Sequence, residues 1–250
     1  MRPSVNLDYF SHPEIVLAYA RAAVNVGLWE SEKILFEKFI PKDAEILELG
    51  CGAGRAALGL ARLGYGKITA TDFAPPMVET AREVCARERE KIRFAVADAS
   101  ALEFPDASFD AVVFAFNGLQ MIPRRERRER ALREIFRVLR PGGIFIFTGH
   151  DRGVPARRAH WEREKARWEN RSRDLELDDF GDWNHSTPQG AMFIHSADAG
   201  EMRTALETVG FEVLFTELRS RICAESEAVR EFSDDTRFWA LRKPASVSLV

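Results

Sequence analysis

Apolar and polar residues form alternating blocks along the chain, and these blocks predict strands and helices in turn. Short runs rich in Val, Ile and Phe, bounded by Gly, Pro or Asp, predict strands. They cover residues 44–50, 67–72, 91–98, 109–116, 143–150, 211–220 and 236–244. Amphipathic stretches between them predict helices, at residues 55–64, 75–90, 124–140 and 196–210. This order is typical of βαβ units, so we expect an α/β fold around a parallel sheet.

Two segments stand outside that alternation within what we expect to be one domain. Residues 1–41, the cap, are predicted to be helical, and Ser11 with Glu14 matches a capping box that opens a helix. Residues 152–195, the insert, begin with a charged helix at about 155–172 and continue as an irregular aromatic stretch. Such a loop is often a lid or binding loop. Residues 42–151 and 196–244 then form the core.

The charge balance of the chain bears on its partners. With 36 basic and 39 acidic residues the net charge is −3, so the basic excess that nucleic-acid binding requires is missing overall. Residues 124–140 nevertheless hold eight Arg against three Glu. This Arg124–Arg140 face is either a solvated helix surface or a docking patch for an acidic partner.

The remaining composition favours a cytoplasmic protein. No run approaches the roughly 20 apolar residues that a membrane helix needs, and the N-terminus has no apolar signal region. Cys51, Cys85 and Cys223 are odd in number and widely spaced, as expected of reduced thiols. The five His lack the spacing of metal ligands, so no metal is expected.

A glycine-rich loop carries the first chemical signal. Gly50, Gly52 and Gly54 follow the first strand and precede the first core helix, where a backbone without Cβ atoms can approach a ligand. Asp72 ends the second strand and Asp98 the third. A carboxylate about 20 residues after the loop is placed to accept hydrogen bonds from ribose hydroxyls. The G-x-G-x-G spacing departs from the dinucleotide fingerprint, so we expect a nucleoside with a positive centre rather than a pyrophosphate.

Five ordered motifs within residues 44–150 resemble class I S-adenosylmethionine-dependent methyltransferases: ELGCGAGR, ATD, VADAS, FDAVVFAF and LRPGG. The resemblance implies a Rossmann-like doubly wound sheet, mostly parallel with an antiparallel last strand. It also implies S-adenosyl-L-methionine as cofactor, S-adenosyl-L-homocysteine as product and a small-molecule methyl acceptor. The insert would then form a lid on the acceptor side.

The same resemblance implies a set of cofactor-binding residues. The glycine loop would wrap the methionine part, Glu48 would lie beside it, Asp72 would hold the ribose and Asp98 the adenine edge. Tyr19 and Asn117 are added as candidate pocket residues. The full predicted set is Tyr19, Glu48, Gly50, Cys51, Gly52, Gly54, Asp72, Phe73, Met77, Asp98, Ala99, Phe114 and Asn117.

The implied reaction is direct displacement at the sulfonium methyl, for which the protein mainly aligns the reactants and excludes water. A general base is needed only if the acceptor must lose a proton, and His150 after the fifth strand is the candidate. Aromatic and polar side chains of the cap, the fourth strand end and the insert are candidates for acceptor binding. These are Tyr9, Trp29, Phe116, Arg152, Trp183 and His195.

The acceptor itself is open at this point. The family's members that methylate base or amide nitrogens usually carry two prolines after the fourth strand, and residues 116–120 have none, which argues against a nucleic-acid substrate. Oxygen, nitrogen and sulfur acceptors remain possible, and so does any oligomeric state. Two other functions stay open: methylation of RNA or protein docked on the Arg124–Arg140 face, and a non-catalytic scaffold that binds the cofactor.

Overall fold

The computed structural model describes residues 5–87, 92–170 and 177–245. Their strands are β1 (Ile46–Leu49), β2 (Ile68–Asp72), β3 (Arg93–Val96), β4 (Phe109–Phe114), β5 (Leu139–Gly149), β6 (Asp182–Thr187), β7 (Gly190–His195), β8 (Glu212–Leu218) and β9 (Arg237–Arg242). Their helices are α1 (Val5–Phe10), α2 (Pro13–Asn25), α3 (Glu30–Phe39), α4 (Arg55–Arg62), α5 (Pro75–Arg87), α6 (Arg125–Val138), α7 (Arg158–Glu169), α8 (Ala199–Val209), α9 (Arg219–Ile222) and α10 (Glu227–Phe232).

Seven strands form one sheet in the order β3-β2-β1-β4-β5-β9-β8. Strands β1 to β5 pair in parallel, whereas β9 runs antiparallel to both of its neighbours. The predicted doubly wound sheet, mostly parallel with an antiparallel last strand, is confirmed. The first strand, β1, lies inside the sheet. Strands β2 and β3 are added on one side of it, and β4 and β5 on the other. The carboxyl ends of β1 and β4 therefore lie side by side at a topological switch point.

Helices cover both faces of this sheet, which explains why its strands are apolar on both sides. Ile46 and Ala111 pack with α3 and α4 in one buried cluster. Their neighbours Leu47 and Val112 point to the other face and pack with α6 and α8. The period-two alternation of a strand therefore divides the core into two layers.

The described part of the cap, residues 5–41, contains three helices. Helix α2 begins at Pro13, and its N-cap is His12, whose Nδ1 accepts a hydrogen bond from the backbone N–H of Glu14 at 3.3 Å. The capping box predicted at Ser11 is therefore wrong by one residue. Pro13 explains the shift, because proline is favoured at the first helical position, where its missing N–H leaves nothing unpaired.

The insert is more ordered than its composition suggested. Its predicted charged helix is present as α7, and the expected end of that helix, at residues 171 and 172, lies outside the described residues. The stretch expected to be irregular instead forms an antiparallel hairpin of β6 and β7. The hairpin forms a separate two-stranded sheet, and its strand β7 packs against helix α1.

The segment between β8 and β9, which is acidic from Glu225 to Asp235, also carries structure, since it contains the short helices α9 and α10. These bring the C-terminal part of the chain back towards the carboxyl edge of the sheet, where Phe232 meets Phe116. Among the described residues, no helix combines the length and apolar character required to cross a membrane.

Candidate functional site

A cavity of about 550 Å³ lies at the carboxyl edge of the parallel strands, where open α/β sheets place their ligands. Residues at and beyond the ends of β1 to β4 form its floor, and helices α1 and α2 contribute Leu7, Phe10 and Tyr19 to its cover. The described parts of the insert, residues 152–170 and 177–195, contribute no residue to its wall.

The glycine loop between β1 and α4 forms one side of the cavity. Gly50 and Gly52 adopt left-handed backbone conformations, with φ of +62° and +53°. A Cβ on Gly50 would lie 2.7 Å from the ring of Phe114, and one on Gly52 would lie 2.9 Å from the ring of Tyr19. Both glycines are therefore required by backbone conformation and by space, and their backbone faces the cavity.

Gly54 serves a different purpose from the one predicted. Its φ is +90°, and a Cβ there would meet Ala81 at 3.3 Å and Cys85 at 3.4 Å. The residue is not part of the cavity wall. Gly54 therefore lets helix α5 pack closely against the loop, rather than contacting a ligand.

Asp72 holds the glycine loop in place from the end of β2. Its carboxylate accepts hydrogen bonds from the backbone N–H of Gly52 at 2.8 Å and of Ala74 at 2.9 Å. The side chain is buried, and burial raises its pKa to about 6 in spite of these bonds. Each carboxylate oxygen can accept a second hydrogen bond, so Asp72 can still bind hydroxyl groups in the cavity.

Asp98 lies at the opposite end of the cavity, after β3. One oxygen accepts hydrogen bonds from the backbone and hydroxyl of Ser100, and the other contacts the guanidinium of Arg127 at 2.5 Å. Burial opposes ionisation, but these partners outweigh it and keep the pKa of Asp98 below its ordinary value. Arg127 also lines the cavity. Sequence reasoning missed it because nothing in the pattern distinguishes Arg127 from the seven other Arg of residues 124–140.

Glu48 projects from β1 into the cavity and is buried. Its Oε2 has no hydrogen-bond partner among the described residues. Burial raises the pKa of this carboxyl to about 8, although Arg55 nearby acts in the opposite direction. A buried acid with an open oxygen is costly to keep, and it is suited to a ligand group that donates hydrogen bonds or carries positive charge.

Aromatic rings form the side of the cavity next to β4. Phe116, two residues after that strand, lies edge-on to Tyr19 and Trp29, with ring centroids 6.1 and 5.8 Å apart. Phe116 also stacks on Phe232 of α10 at 4.8 Å. Trp29 is fully buried behind Phe116 and supports the wall from that side. It does not line the cavity, although the sequence analysis predicts it to bind the acceptor.

The structure brings most of the predicted residues to this one cavity. Those in its wall are Tyr19, Glu48, Gly50, Cys51, Gly52, Asp72, Phe73, Met77, Asp98, Ala99, Phe114 and Phe116. Tyr9 is not among them. It packs edge-on against Phe10, with centroids 5.2 Å apart, and Phe10 is the ring of α1 that faces the cavity.

His150 and Asn117 lie behind the wall. The side-chain nitrogen of Asn117 is 3.3 Å from Nε2 of His150, and the backbone of His150 is bonded in both directions by the amide of Gln120. Burial, followed by the charge of Arg157, lowers the pKa of His150 to about 4. At neutral pH its imidazole is therefore neutral, and it is separated from the cavity because the chain after β4 crosses the end of β5.

The polar candidates of the insert are engaged with one another. His195 has one ring nitrogen 2.8 Å from Asp182 and the other 2.8 Å from Glu201. Arg152 pairs with Glu201 and Asp198, and the indole of Trp183 donates to Ser196. These groups bind the hairpin to helix α8. Since their polar atoms are satisfied there, Arg152, Trp183 and His195 are positioned to hold the insert and not to bind a ligand in the cavity.

The basic helix α6 and its flanks are largely neutralised within the chain. Of the eight Arg in residues 124–140, seven have carboxylate partners: Arg124, Arg125, Arg127, Arg128, Arg133, Arg137 and Arg140. Their partners include Asp178 and Asp179 at the base of the hairpin. This argues against the Arg124–Arg140 face as a docking patch for an acidic partner.

Helix α1 is attached over the cavity by the side chain of Asn6. Its Nδ2 donates to the backbone carbonyls of Met121, at 2.5 Å, and of Phe193, at 3.1 Å, and its Oδ1 accepts from the N–H of Phe193 at 2.7 Å. Asn6 is only 2% exposed. The hairpin therefore reaches the cavity indirectly, through Asn6 and α1.

Replacing Asn6 by Asp should loosen this attachment, because the carboxylate cannot donate to the two carbonyls. We expect amide hydrogen exchange in residues 5–10 to accelerate at least tenfold, roughly 1.4 kcal/mol of lost protection. Hydrogen exchange followed by mass spectrometry measures this. The exposed Asn25→Asp variant is the matched control, and equal exchange rates in the two variants would contradict the assignment.

Comparison with known proteins agrees with this geometry. The family model described as "Methyltransferase domain" matches residues 46–143. The demethylmenaquinone methyltransferase of Thermus thermophilus is 38% identical over 131 residues, which are 52% of this chain and 53% of that protein. The 2-methyl-6-phytyl-1,4-hydroquinone methyltransferase of Synechocystis is 34% identical over 129 residues, 50% of this chain and 38% of that protein. The chain thus spans about half the length, or less, of these relatives.

Solved structures match over a larger part of the chain. A S-adenosylmethionine-dependent methyltransferase from Methanosarcina mazei has a TM-score of 0.69 and 23% identity, covering 88% of this chain and all of that one. The 4+2 cyclase SpnF has a TM-score of 0.67 and 22% identity, covering 98% of this chain and 99% of its own. At these identities the likeness shows a shared fold.

Proposed function

We propose that this chain, as a class I S-adenosylmethionine-dependent methyltransferase whose residues 46–143 match the methyltransferase domain, methylates a small-molecule acceptor. One observation carries the proposal. Three carboxyl groups at the ends of successive strands, Glu48, Asp72 and Asp98, line a single cavity beside the glycine loop. This spacing suits a nucleoside whose far end carries positive charge.

We propose that each acid binds a different part of the cofactor. The open oxygen of Glu48 suits the ammonium group, the free lone pairs of Asp72 suit the ribose hydroxyls, and Asp98 suits the exocyclic amine of adenine. The cavity wall fits the cofactor elsewhere as well, because the backbone of the glycine loop is unobstructed. The remaining proposed contacts are Tyr19, Cys51, Phe73, Met77, Ala99 and Phe114.

Bound S-adenosylmethionine supplies a methyl group on a positively charged sulfur. The acceptor atom uses a lone pair to form the new bond to the methyl carbon, while the carbon–sulfur bond breaks and its electrons stay on sulfur. Any proton on the acceptor atom is lost to solvent, either before the acceptor enters the closed cavity or after the methylated product leaves it. The protein contributes alignment and the exclusion of water, through α1, Tyr19 and the rings next to β4.

No histidine or lysine is among the described residues that line the cavity. The general base predicted at His150 stays a prediction, and its position behind Asn117 does not support it. We propose that acceptors with oxygen, nitrogen or sulfur nucleophiles are used without a base from the chain.

A small acceptor is supported by the names of the two relatives, a demethylmenaquinone methyltransferase and a 2-methyl-6-phytyl-1,4-hydroquinone methyltransferase, and by the paired arginines of α6. We propose that the cap closes the site and that the insert acts as a lid by holding α1. Cys51 and Cys223 form no disulfide, which supports our proposal that the protein works in the reducing cytoplasm.

Thermal unfolding with S-adenosylhomocysteine, S-adenosylmethionine and NAD, side by side, tests the cofactor. A ligand at 100 times its Kd adds about 2.7 kcal/mol, which for this size means a shift of roughly 5–11 °C. We expect a shift with both S-adenosyl compounds and none with NAD. A shift with NAD alone would contradict the proposal, and so would the absence of a shift with all three ligands. Transfer of labelled methyl to a panel of small acceptors then tests catalysis.

Replacing Asp72 by Ala should raise the Kd for S-adenosylhomocysteine at least tenfold, about 1.4 kcal/mol. The variant loses the proposed ribose contact and also the hydrogen bond that holds Gly52. Isothermal titration calorimetry measures the Kd, with the exposed Asp43→Ala variant as control. An unchanged Kd would contradict the placement of the ribose.

A further inference from the structure

Phe116 and Phe232 border the cavity at the end away from Asp98. In the sheet order β3-β2-β1-β4, Asp98 follows β3 and Phe116 follows β4, so the two lie on opposite sides of the glycine loop. A nucleoside bound along Asp72 and Asp98 therefore directs its charged sulfur towards the β4 side. The two phenylalanine rings lie where an acceptor has to approach.

The structure holds the ring of Phe116 firmly. Phe116 and Asn117 both have left-handed backbones, with φ of +53° and +65°, a conformation that is uncommon and costly for residues other than glycine. Trp29 supports the ring edge-on from the buried side, and Phe232 stacks on it with an interplanar angle of 15°. Such strain at a cavity wall is found where function requires a side chain in one position.

This end of the cavity offers no free charge. Arg55 is committed to Glu32 through two hydrogen bonds of 2.6 Å. Among the other described residues near the methionine end, Glu48 is paired with the ammonium group of the bound cofactor in the proposed function. Burial raises the pKa of Tyr19 and of Cys51 above their ordinary values, so both stay neutral. The charged side chains of Asp72, Asp98 and Arg127 belong to the nucleoside side.

Building on the proposed function, we propose that Phe116 and Phe232 are specificity-determining residues that select a flat, uncharged aromatic ring as the methyl acceptor. Phenyl rings offer stacking surface and no hydrogen bonds, so they discriminate by flatness. Phe116 lies within the matched domain, whereas Phe232 comes from α10, in a segment between β8 and β9 that carries no family motif. Part of the specificity therefore resides outside the matched domain.

Two neutral probes of the same carbon skeleton test this: flat 1-naphthol and its saturated counterpart decahydro-1-naphthol. Calorimetry measures the binding of each to the full chain saturated with S-adenosylhomocysteine. We expect 1-naphthol to bind about tenfold more tightly. Phe232→Leu and Phe116→Leu should reduce this preference to about twofold or less, while Phe232→Tyr retains it. Phe215→Leu removes an aromatic ring that packs on Phe39 outside the cavity and should leave the preference unchanged.

The outcomes separate this inference from the function on which it rests. Failure of the wild-type chain to bind S-adenosylhomocysteine would overturn both. Normal binding of S-adenosylhomocysteine with equal affinity for the two probes, or with an undiminished preference in folded Leu variants, would overturn the inference alone. If Phe232→Leu lowers the affinity for S-adenosylmethionine but not for S-adenosylhomocysteine, the two rings contact the charged sulfur of the cofactor. That outcome would also overturn the inference. Thermal unfolding of every variant confirms that it is folded.

Discussion

Replacing Arg55 by Met is expected to lower the free energy of unfolding by about 3–5 kcal/mol. The guanidinium donates to both carboxylate oxygens of Glu32, which is only 1% exposed. Because that carboxylate lies inside the protein, removal of the cation leaves a buried charge without its counter-ion, held only by the backbone N–H of Trp29 among the described contacts. Arg55 also donates to the carbonyl of Gly27 and lies over the ring of Trp29, so the cap and the glycine loop lose a shared anchor.

Urea denaturation measures this loss, and two further variants make it specific. Arg133→Met removes a surface arginine whose pair with Glu129 is exposed on both sides, and it should cost at most about 0.5 kcal/mol. The double variant Arg55→Met with Glu32→Leu removes both charges and should recover most of the stability. The buried-charge explanation fails if Arg55→Met costs no more than Arg133→Met.

Replacing Glu48 by Gln should stabilise the protein in alkaline conditions and weaken cofactor binding. Burial raises the pKa of this carboxyl from 4.5 to about 8, so between these pH values the folded state holds a proton that the unfolded state has released. The free energy of unfolding of the wild type therefore falls as pH rises through this window, by up to about 1.4 kcal/mol per pH unit. A glutamine does not titrate, so the variant's advantage grows from pH 5 to pH 8.

In the wild type, the affinity for the cofactor should rise with pH, whereas the free energy of unfolding falls. If Glu48 receives the ammonium group, its proton must leave, so affinity for S-adenosylhomocysteine rises with pH up to about 8 and binding at pH 7 releases up to one proton. Calorimetry in buffers of different ionisation enthalpy counts that proton. Glu48→Gln should bind weakly without proton release, whereas the exposed Glu103→Gln should behave like the wild type. Lower stability of Glu48→Gln at pH 8 would contradict the prediction.

Other titrating groups do not confuse this comparison. The pKa of Asp72, raised by burial to about 6, makes stability fall as pH rises between about 4 and 6. The pKa of His150, lowered by burial to about 4, makes stability fall as pH drops below about 6.5. Both effects are present in the wild type and in Glu48→Gln, so the difference between the two proteins isolates Glu48.

Several predicted site residues lie away from the cavity wall, and these cases share one physical reason. His150 was placed at the site because it follows a strand, but Gln120 pairs with its backbone and the chain after β4 covers that strand end. Trp29 and Tyr9 are aromatic residues of the cap, yet one lies behind Phe116 and the other behind Phe10. Residue type and position along a strand are local properties, whereas contact with a cavity depends on what packs in front.

The hairpin and the bridging residues show the same limit. The aromatic insert lacked a strict alternation of apolar and polar residues, so its strands were missed. Asn6 is far along the chain from Phe193, to which it is hydrogen-bonded, and Phe232 is far from Phe116, on which it stacks. Spacing between neighbouring residues in the sequence cannot predict such long-range contacts.

The sequence by itself determined the order of the strands and helices of the seven-stranded core, its mainly parallel sheet and the positions of the glycine loop, Asp72 and Asp98. These features follow from hydrophobic period, backbone freedom of glycine and strand ends, all of which are set by near neighbours. Only the tertiary structure decided that Glu48 is buried with an open oxygen, that Arg55 is paired with Glu32, and that seven arginines are neutralised. Burial and ion pairing depend on residues distant in sequence, because packing, not local pattern, brings those groups together.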